Sequence, residues 1–212
     1  MSRLVLVAVM LLAVASWMLF DPPAPRDVWS NSALPPAEKT NAPGDGLCID
    51  CHTGSVLNEA GGSVTIGDVP SSYLPTQTYT LTVTVQHPSQ HRWGFELVAL
   101  KDSDNTVAGS FTNTTLLTTT QSSGGKTYIS HTTINQGQDG TFTGQTSGVW
   151  SFAWTAPAQG TGTVKFYAAG NAANGNGLNS GDKIYTTTAI STEGSMTDVD
   201  ATTWGKIKKL YR

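Results

Sequence analysis

Cysteine and charge are both scarce in this chain. Only two of its 212 residues are cysteine, 13% are charged, and the formal net charge is −3. Two cysteines are too few for a four-thiolate zinc site. Nucleic-acid binding needs clustered Lys and Arg, which this weakly acidic, threonine-rich sequence does not provide. Paired carboxylates and a Ser/His/Asp constellation are also missing, so we expect neither a nucleic-acid partner nor an enzyme.

The N-terminus has the layout of an export signal. Residues 4–20 form an uncharged apolar run that follows Arg3, as in a signal peptide. An A-x-A cleavage site occurs at 13–15, but the run continues to Phe20 and is close to the lower length limit for a membrane span. We therefore predict that residues 1–20 are a signal peptide or an uncleaved anchor. The folded part is expected in the periplasm, at the cell surface or outside the cell, with membrane contact only through an uncleaved segment.

The rest of the chain divides into an arm, one domain and a tail. Residues 21–43 are rich in proline, which predicts an extended arm or linker, or a segment lying across the domain with Trp29 and Leu34 as anchors. Residues 44–190 are long enough for one domain with a sizeable core. The tail, 191–212, ends in WGKIKKLYR. A sorting or docking signal, a frayed terminus and a membrane-surface contact all remain open for it.

Hydrophobic residues alternate with a period of two from residue 63 onward. Apolar and threonine side chains alternate from Tyr79 to Val85, and Trp93 to Ala99 repeats the pattern. Similar segments follow at Val107–Thr112, Thr127–Thr133, Trp150–Trp154, Val164–Ala168 and Lys183–Ile190, separated by Gly, Asn, Ser and Pro clusters. About seven short strands predict an all-β, immunoglobulin-like antiparallel β-sandwich. Its core is expected to be aromatic: Trp93, Phe95, Trp150, Phe152, Trp154 and Phe166.

The two cysteines belong to one short motif. Cys48, Cys51 and His52 are spaced as C-x-x-C-H, the attachment signal for a c-type haem. The thiols can form thioether bonds to the two vinyl groups of one haem, and the imidazole can ligate its iron as proximal ligand. A disulfide-closed loop and another metal are the alternatives. Export favours covalent haem c, so we predict one haem, attached at 48–52.

Several further segments resemble one family. They are Ala42–Gly46, Arg92–Leu97, Tyr128–Thr132, Trp150–Pro157 and Phe166–Gly177. Over about residues 42–190 the chain resembles the reelin-domain-like (Reeler, or choice-of-anchor V) proteins of bacterial envelopes. The resemblance implies an immunoglobulin-like sandwich and an exported, surface-associated protein, and it says little about biochemical activity.

The second axial iron ligand has four candidates: His87, His91, His131 and Met196. His131 is favoured because the Tyr-Ile-Ser-His-Thr stretch matches the pattern of the resembling family, although a histidine capping a sheet edge would look the same. His87 and His91 are in a polar connection, and Met196 is in the tail. An open or water-filled position is the remaining alternative.

Two other sequence features give weaker indications of a role at the haem. Arg92 could pair with a haem propionate or be a surface charge. The glycine- and asparagine-rich run 170–180 lacks the paired carboxylates of a calcium site, so we interpret it as a structured loop that packs against the haem.

These features favour an exported, single-haem c-type cytochrome that carries electrons between redox partner proteins. An assembly of chains, as a homo-oligomer or filament, would bring haems together. The alternatives are a structural or adhesive surface domain with a C-x-x-C disulfide, and a haem-based sensor or peroxidase with an open axial position.

Overall fold

The computed structural model describes residues 31–134 and 138–195, which form a β-sandwich. A 3-10 turn, Cys48–Asp50, precedes the strands. The ten strands are β1 (Ser63–Gly67), β2 (Ser72–Tyr73), β3 (Thr78–Gln86), β4 (Arg92–Lys101), β5 (Ser110–Asn113), β6 (Thr118–Ser123), β7 (Lys126–His131), β8 (Ser147–Thr155), β9 (Val164–Ala173) and β10 (Lys183–Glu193). The predicted all-β sandwich is confirmed.

The strands form two sheets. One has the order β1-β3-β8-β5 and the other the order β2-β10-β9-β4-β7-β6. Every strand pair is antiparallel except β2 and β10, which run parallel over two residue pairs. The expectation of a purely antiparallel sandwich is corrected at this edge only.

Aromatic side chains fill the space between the sheets. Trp154 lies at its centre, with ring centroids 4.9 Å from Phe166 and 5.6 Å from Tyr73. Edge-to-face contacts of this kind add to the free energy of apolar burial. All six aromatic residues predicted for the core are at most 2% exposed. The sandwich is therefore held together without a disulfide between its sheets.

Strand boundaries differ from the prediction where apolar alternation is weak. β6 has the sequence TTTQSS and no apolar alternation, so it was not predicted. β9 continues to Ala173, through residues that were assigned to the glycine-asparagine loop. β5 begins at Ser110 and not at Val107, which makes only an isolated bridge to Leu100. Pairing with a neighbouring strand determines these elements, and composition does not reveal that pairing.

Residues 31–47, here called the arm segment, cover the outer face of the six-stranded sheet. Ala42 packs against Val98, Leu100 and Tyr128. The Lys39 N–H donates to the Glu96 carboxyl at 2.7 Å. Because this face is covered, side chains that alternate away from the sandwich core are buried as well. The described part of the predicted arm therefore lies against the domain.

The predictions for residues 1–20 and for most of the tail lie outside the described residues. Within the described ranges, no helix is long and apolar enough to cross a membrane.

Asp45 anchors the arm segment to β7. Its side chain is fully buried, and one carboxyl oxygen lies 2.5 Å from Lys126 Nζ and accepts from the Tyr128 hydroxyl at 3.0 Å. The other oxygen accepts from the Thr40 hydroxyl at 2.6 Å. Gly44 precedes it with a φ of +83°, a conformation that glycine adopts without strain. This turn holds the arm segment in place.

Replacing Asp45 with Ala is expected to lower the free energy of unfolding by about 3 kcal/mol, because Lys126 would lose its buried partner. Denaturant unfolding of the purified chain measures this difference. The matched control is Asp102→Ala at an exposed position, which should change stability by less than about 0.5 kcal/mol. Equal effects of the two substitutions would contradict the anchoring role of Asp45.

Candidate functional site

The C-x-x-C-H motif is folded as a tight turn. The N–H groups of Cys51 and His52 both donate to the Cys48 carbonyl, at 3.2 and 2.9 Å. Asp50 caps the turn by accepting from the Leu47 N–H at 3.0 Å and by pairing with Lys39 Nζ at 2.7 Å. The backbone therefore presents both thiols and the imidazole from one short segment. Both cysteines are free thiols and partly buried.

The loop between β9 and β10 holds this turn from the other side. The Asn179 side-chain amide donates to the Cys51 carbonyl at 2.7 Å. The Asn179 carbonyl accepts from the Thr53 N–H at 2.8 Å, and the Gly181 N–H donates to the Thr53 carbonyl at 3.1 Å. The glycine- and asparagine-rich loop thus packs against the attachment motif itself.

The His52 imidazole contacts two side chains from β9 and the loop that follows it. Its Nδ1 lies 2.6 Å from Asp182 Oδ2. The amide nitrogen of Asn171 lies 3.2 Å from Nδ1 and 3.3 Å from Nε2. A carboxylate can only accept a hydrogen bond, so Nδ1 is the donor, and a neutral ring then keeps its lone pair on Nε2. That nitrogen is the one that remains for a metal.

An open pocket adjoins the motif on the outer face of the six-stranded sheet. Its empty space is about 850 Å³ when the open solvent at its mouth is included. The arm segment forms one wall and β4 the floor. Cys48, Cys51, His52 and His131 all line it. The structure therefore brings the attachment motif and the favoured second ligand to one pocket.

His131 is positioned where two strands separate. The β4–β7 ladder ends at Glu96 and Ser130, and the His131 imidazole then takes the place of a backbone partner. Its Nδ1 lies 3.1 Å from the Phe95 nitrogen and 3.2 Å from the Phe95 oxygen. A Cβ atom at Gly94 would lie 2.7 Å from its Cε1. Only glycine therefore leaves room for the ring at this point.

Burial lowers the pKa of His131 to about 4, and hydrogen bonds with the backbone of Phe95 and Ser32 act against this shift. The imidazole is consequently neutral at neutral pH. A neutral ring is the form that can ligate iron.

The other two histidine candidates do not line the pocket. His87 is buried beside the Tyr185 ring, with ring centroids 6.4 Å apart. His91 is exposed, and only its backbone is paired, with Ala173 and Gly144. Met196 lies outside the described residues. Of the histidines that follow the motif, only His131 reaches the pocket.

Three polar residues of the site were not predicted from the sequence as site residues: Asn171, Asp182 and Glu96. Glu96 is 1% exposed and accepts hydrogen bonds from the Lys39 N–H at 2.7 Å and the Gln121 amide at 3.1 Å. Burial raises the pKa of Glu96 to about 8. Its alternation with core residues of β4 indicated an outward-facing side chain, but nothing in the sequence showed that the arm segment would cover it.

Charge near the thiols affects their chemistry. Burial and the nearby Glu96 carboxyl raise the pKa of the Cys48 thiol to about 12. Cys48 is therefore a thiol and not a thiolate at neutral pH. Among the residues that the structure describes, no group of three or more His, Cys, Asp and Glu side chains is arranged to hold a metal ion.

Arg92 also lines the pocket. Its Nε donates to the Thr141 hydroxyl at 3.0 Å, which fixes the guanidinium at the pocket wall. A cation held there suits an anionic group of a ligand.

The haem-free chain should show opposite pH dependences from the buried groups Glu96 and His131. Glu96 keeps its proton in the folded state from about pH 4.5 to 8, so it makes stability fall as pH rises through that window. His131 stays neutral in the folded state from about pH 6.5 down to 4, so it makes stability rise with pH there. The two effects offset one another between about pH 4.5 and 6.5. A decline of about 2 kcal/mol is left between pH 6.5 and 8, at 1.36 kcal/mol per pKa unit.

The Glu96→Gln variant separates the contribution of His131 to the pH dependence of stability from that of Glu96. Measured by denaturant unfolding on a Cys48→Ser/Cys51→Ser background, it should lose the decline above pH 6.5 and show a rise in stability over the whole range from pH 4 to 6.5, because the opposing effect of Glu96 is gone. A pH profile identical to that of the background chain would show that Glu96 does not titrate as described.

Comparisons with known proteins find distant structural matches and no sequence match. No protein-family model and no curated protein matches the chain. The human F-spondin reeler domain is 23% identical, with a TM-score of 0.44, and the match covers 66% of this chain and 95% of that one. The Reelin-N domain of F-spondin is 22% identical, with a TM-score of 0.46 and coverage of 70% and 96%. The seventh ScaB type I cohesin from Pseudobacteroides cellulosolvens is 12% identical, with a TM-score of 0.40 and coverage of 68% and 97%.

Proposed function

We propose that this protein is an exported c-type cytochrome with one covalent haem, and that it transfers electrons. The observation that carries the proposal is the meeting of two free thiols, a carboxylate-paired histidine and a second, neutral histidine at one pocket. A disulfide loop would account for the thiols but not for the two histidines. A metal site would need several ligating side chains in one group, and the described residues contain no group of three or more His, Cys, Asp and Glu arranged to hold an ion.

The residues present fit a haem. Cys48 and Cys51 would form its thioether bonds, and His52 Nε2 would be the proximal ligand. His131 would be the second ligand, exchanging its contact with Ser32 for the iron. Arg92, which lines the pocket, would pair with a propionate. A haem bound in this way supplies one-electron redox chemistry at its iron.

The surroundings suit electron transfer better than turnover of a substrate. Two histidine ligands would leave no open iron position and would give a lower potential than His/Met ligation. The sheet beneath the pocket and the arm segment beside it would shield part of the haem, and the open mouth of the pocket would leave the rest accessible to a partner protein. We accordingly expect no enzymatic activity.

Partners and location belong to the same proposal. The apolar run at 4–20 supports export to the periplasm, the cell surface or the exterior. A single haem per chain implies a shuttle between redox partner proteins, or an assembly of chains in which neighbouring haems approach.

The test is the visible absorption spectrum of the protein made together with a cytochrome c maturation system. We expect the sharp α and β bands of a low-spin c-type haem after reduction, retained after acid-acetone extraction because the haem is covalent. A colourless protein would contradict the proposal and favour the adhesive surface domain. A high-spin spectrum that changes on addition of carbon monoxide would favour the sensor alternative.

A further inference from the structure

We propose that Asp182 is a positioning residue that fixes the tautomer of His52 and raises its donor strength, and so lowers the reduction potential of the iron. The effect on the reduction potential rests on the proposed function, but the assignment of the tautomer does not. The tautomer is a property of the polypeptide itself.

The contact is short and buried. Asp182 Oδ2 lies 2.6 Å from His52 Nδ1, with the aspartate side chain 1% exposed and the histidine side chain 17% exposed. The other carboxyl oxygen, Oδ1, accepts from the Asn174 N–H at 3.1 Å. Because both oxygens are engaged, the carboxylate cannot rotate away from the imidazole.

The Asp182 contact selects one tautomer of the neutral ring. The carboxylate accepts, so Nδ1 carries the proton and Nε2 carries the lone pair. The Asn171 amide nitrogen lies 3.2 Å from Nδ1 and 3.3 Å from Nε2, so it does not distinguish the two nitrogens. The turn is held independently by Asn179, through the Cys51 carbonyl. Asp182 therefore acts on the ring and not on the path of the backbone.

A carboxylate that accepts from a ligating imidazole makes the imidazole a stronger donor. A stronger donor and a nearby buried negative charge both favour the ferric over the ferrous iron. Asn at this position would keep the shape and the Asn174 contact, but its amide nitrogen would face Nδ1 and donate to it. In the haem-free chain His52 would then be driven to the other tautomer, with the proton on Nε2.

The first measurement needs no haem. In the Cys48→Ser/Cys51→Ser chain, the 15N chemical shifts of the imidazole nitrogens report which one carries the proton. We expect Nδ1–H in this chain and a switch to Nε2–H when Asp182→Asn is added. Protonation on Nε2 before Asp182 is replaced would overturn the proposal, whether or not the variant folds.

The second measurement is the reduction potential of the haem-bearing protein. Asp182→Asn is expected to shift the potential upward. The matched control is Asp50→Asn, which removes a carboxylate that caps the same turn but does not touch His52, and it should leave the potential closer to that of the parent. Equal shifts in the two variants would overturn the role of Asp182. A parent without haem, with the Nδ1–H tautomer intact, would instead refute the proposed function alone.

Discussion

Replacing Cys48 and Cys51 together with Ser is expected to abolish covalent haem attachment completely. The two thiols are the only cysteines of the chain, and thioether bonds to the haem vinyl groups need both of them in one turn. The chain should still be exported and fold, because neither side chain belongs to the aromatic core. Haem staining of a denaturing gel, with the folded state checked by circular dichroism, measures both parts of this expectation.

A matched control for that experiment is His91→Ala. His91 is exposed and does not line the pocket, so this variant should stain as strongly as the parent. Staining that persists in the double serine variant would place the haem elsewhere and contradict the role of the motif.

The second large effect is expected at His131. His131→Ala should convert a low-spin iron into a high-spin one, because the closed axial position would be opened. The reduced variant should then bind carbon monoxide, which the parent should not. Loss of a buried imidazole also removes its contacts with the Phe95 backbone, so a decrease in unfolding free energy of about 1–3 kcal/mol is expected as well.

His87→Ala serves as the control for this second prediction. His87 is buried to nearly the same extent as His131, at 8% against 6% exposed, but lies away from the pocket. It should cost stability and leave the spin state unchanged. A parent that already binds carbon monoxide would show that His131 is not an iron ligand and would favour a sensor.

Much of the sandwich can be predicted from the sequence, since an apolar side chain occurs at every second position along the core-facing side of β3, β4 and β8. The strands that were not predicted are β1 and β2, which have five and two residues, and β6, in which every residue is polar. β6 contains threonine, glutamine and serine on both faces, and pairs along its whole length with β7. Local composition does not encode such pairing.

The candidate site also contains residues that the sequence predicts and residues that it does not. Cys48, Cys51 and His52 are contiguous, and their spacing predicts their chemistry. Asp182 is 130 residues from His52 in sequence and 2.6 Å from its ring, so no local pattern could connect the two. From the sequence, Glu96 is expected to be an exposed residue of a half-buried strand. In the structure the arm segment covers it. The covering segment, and not the strand, determines the pKa of its carboxyl.

The placement of the site has a structural consequence. In the proposed arrangement the haem is attached to a segment that precedes the sandwich. That segment lies on the outer face of the six-stranded sheet. The aromatic core between the sheets is complete without it. Stability and haem binding should therefore be separable by mutation, with Asp45 acting mainly on the covering segment and Asp182 on the imidazole.

The mass of the intact, mature chain after expression with a cytochrome c maturation system tests the central claim most directly. The account predicts that the chain is heavier than the apo-polypeptide by one haem, and that digestion leaves this added mass on the peptide that contains Cys48 and Cys51. A chain that is two hydrogens lighter than the reduced polypeptide, with the two cysteines joined to each other, would contradict it.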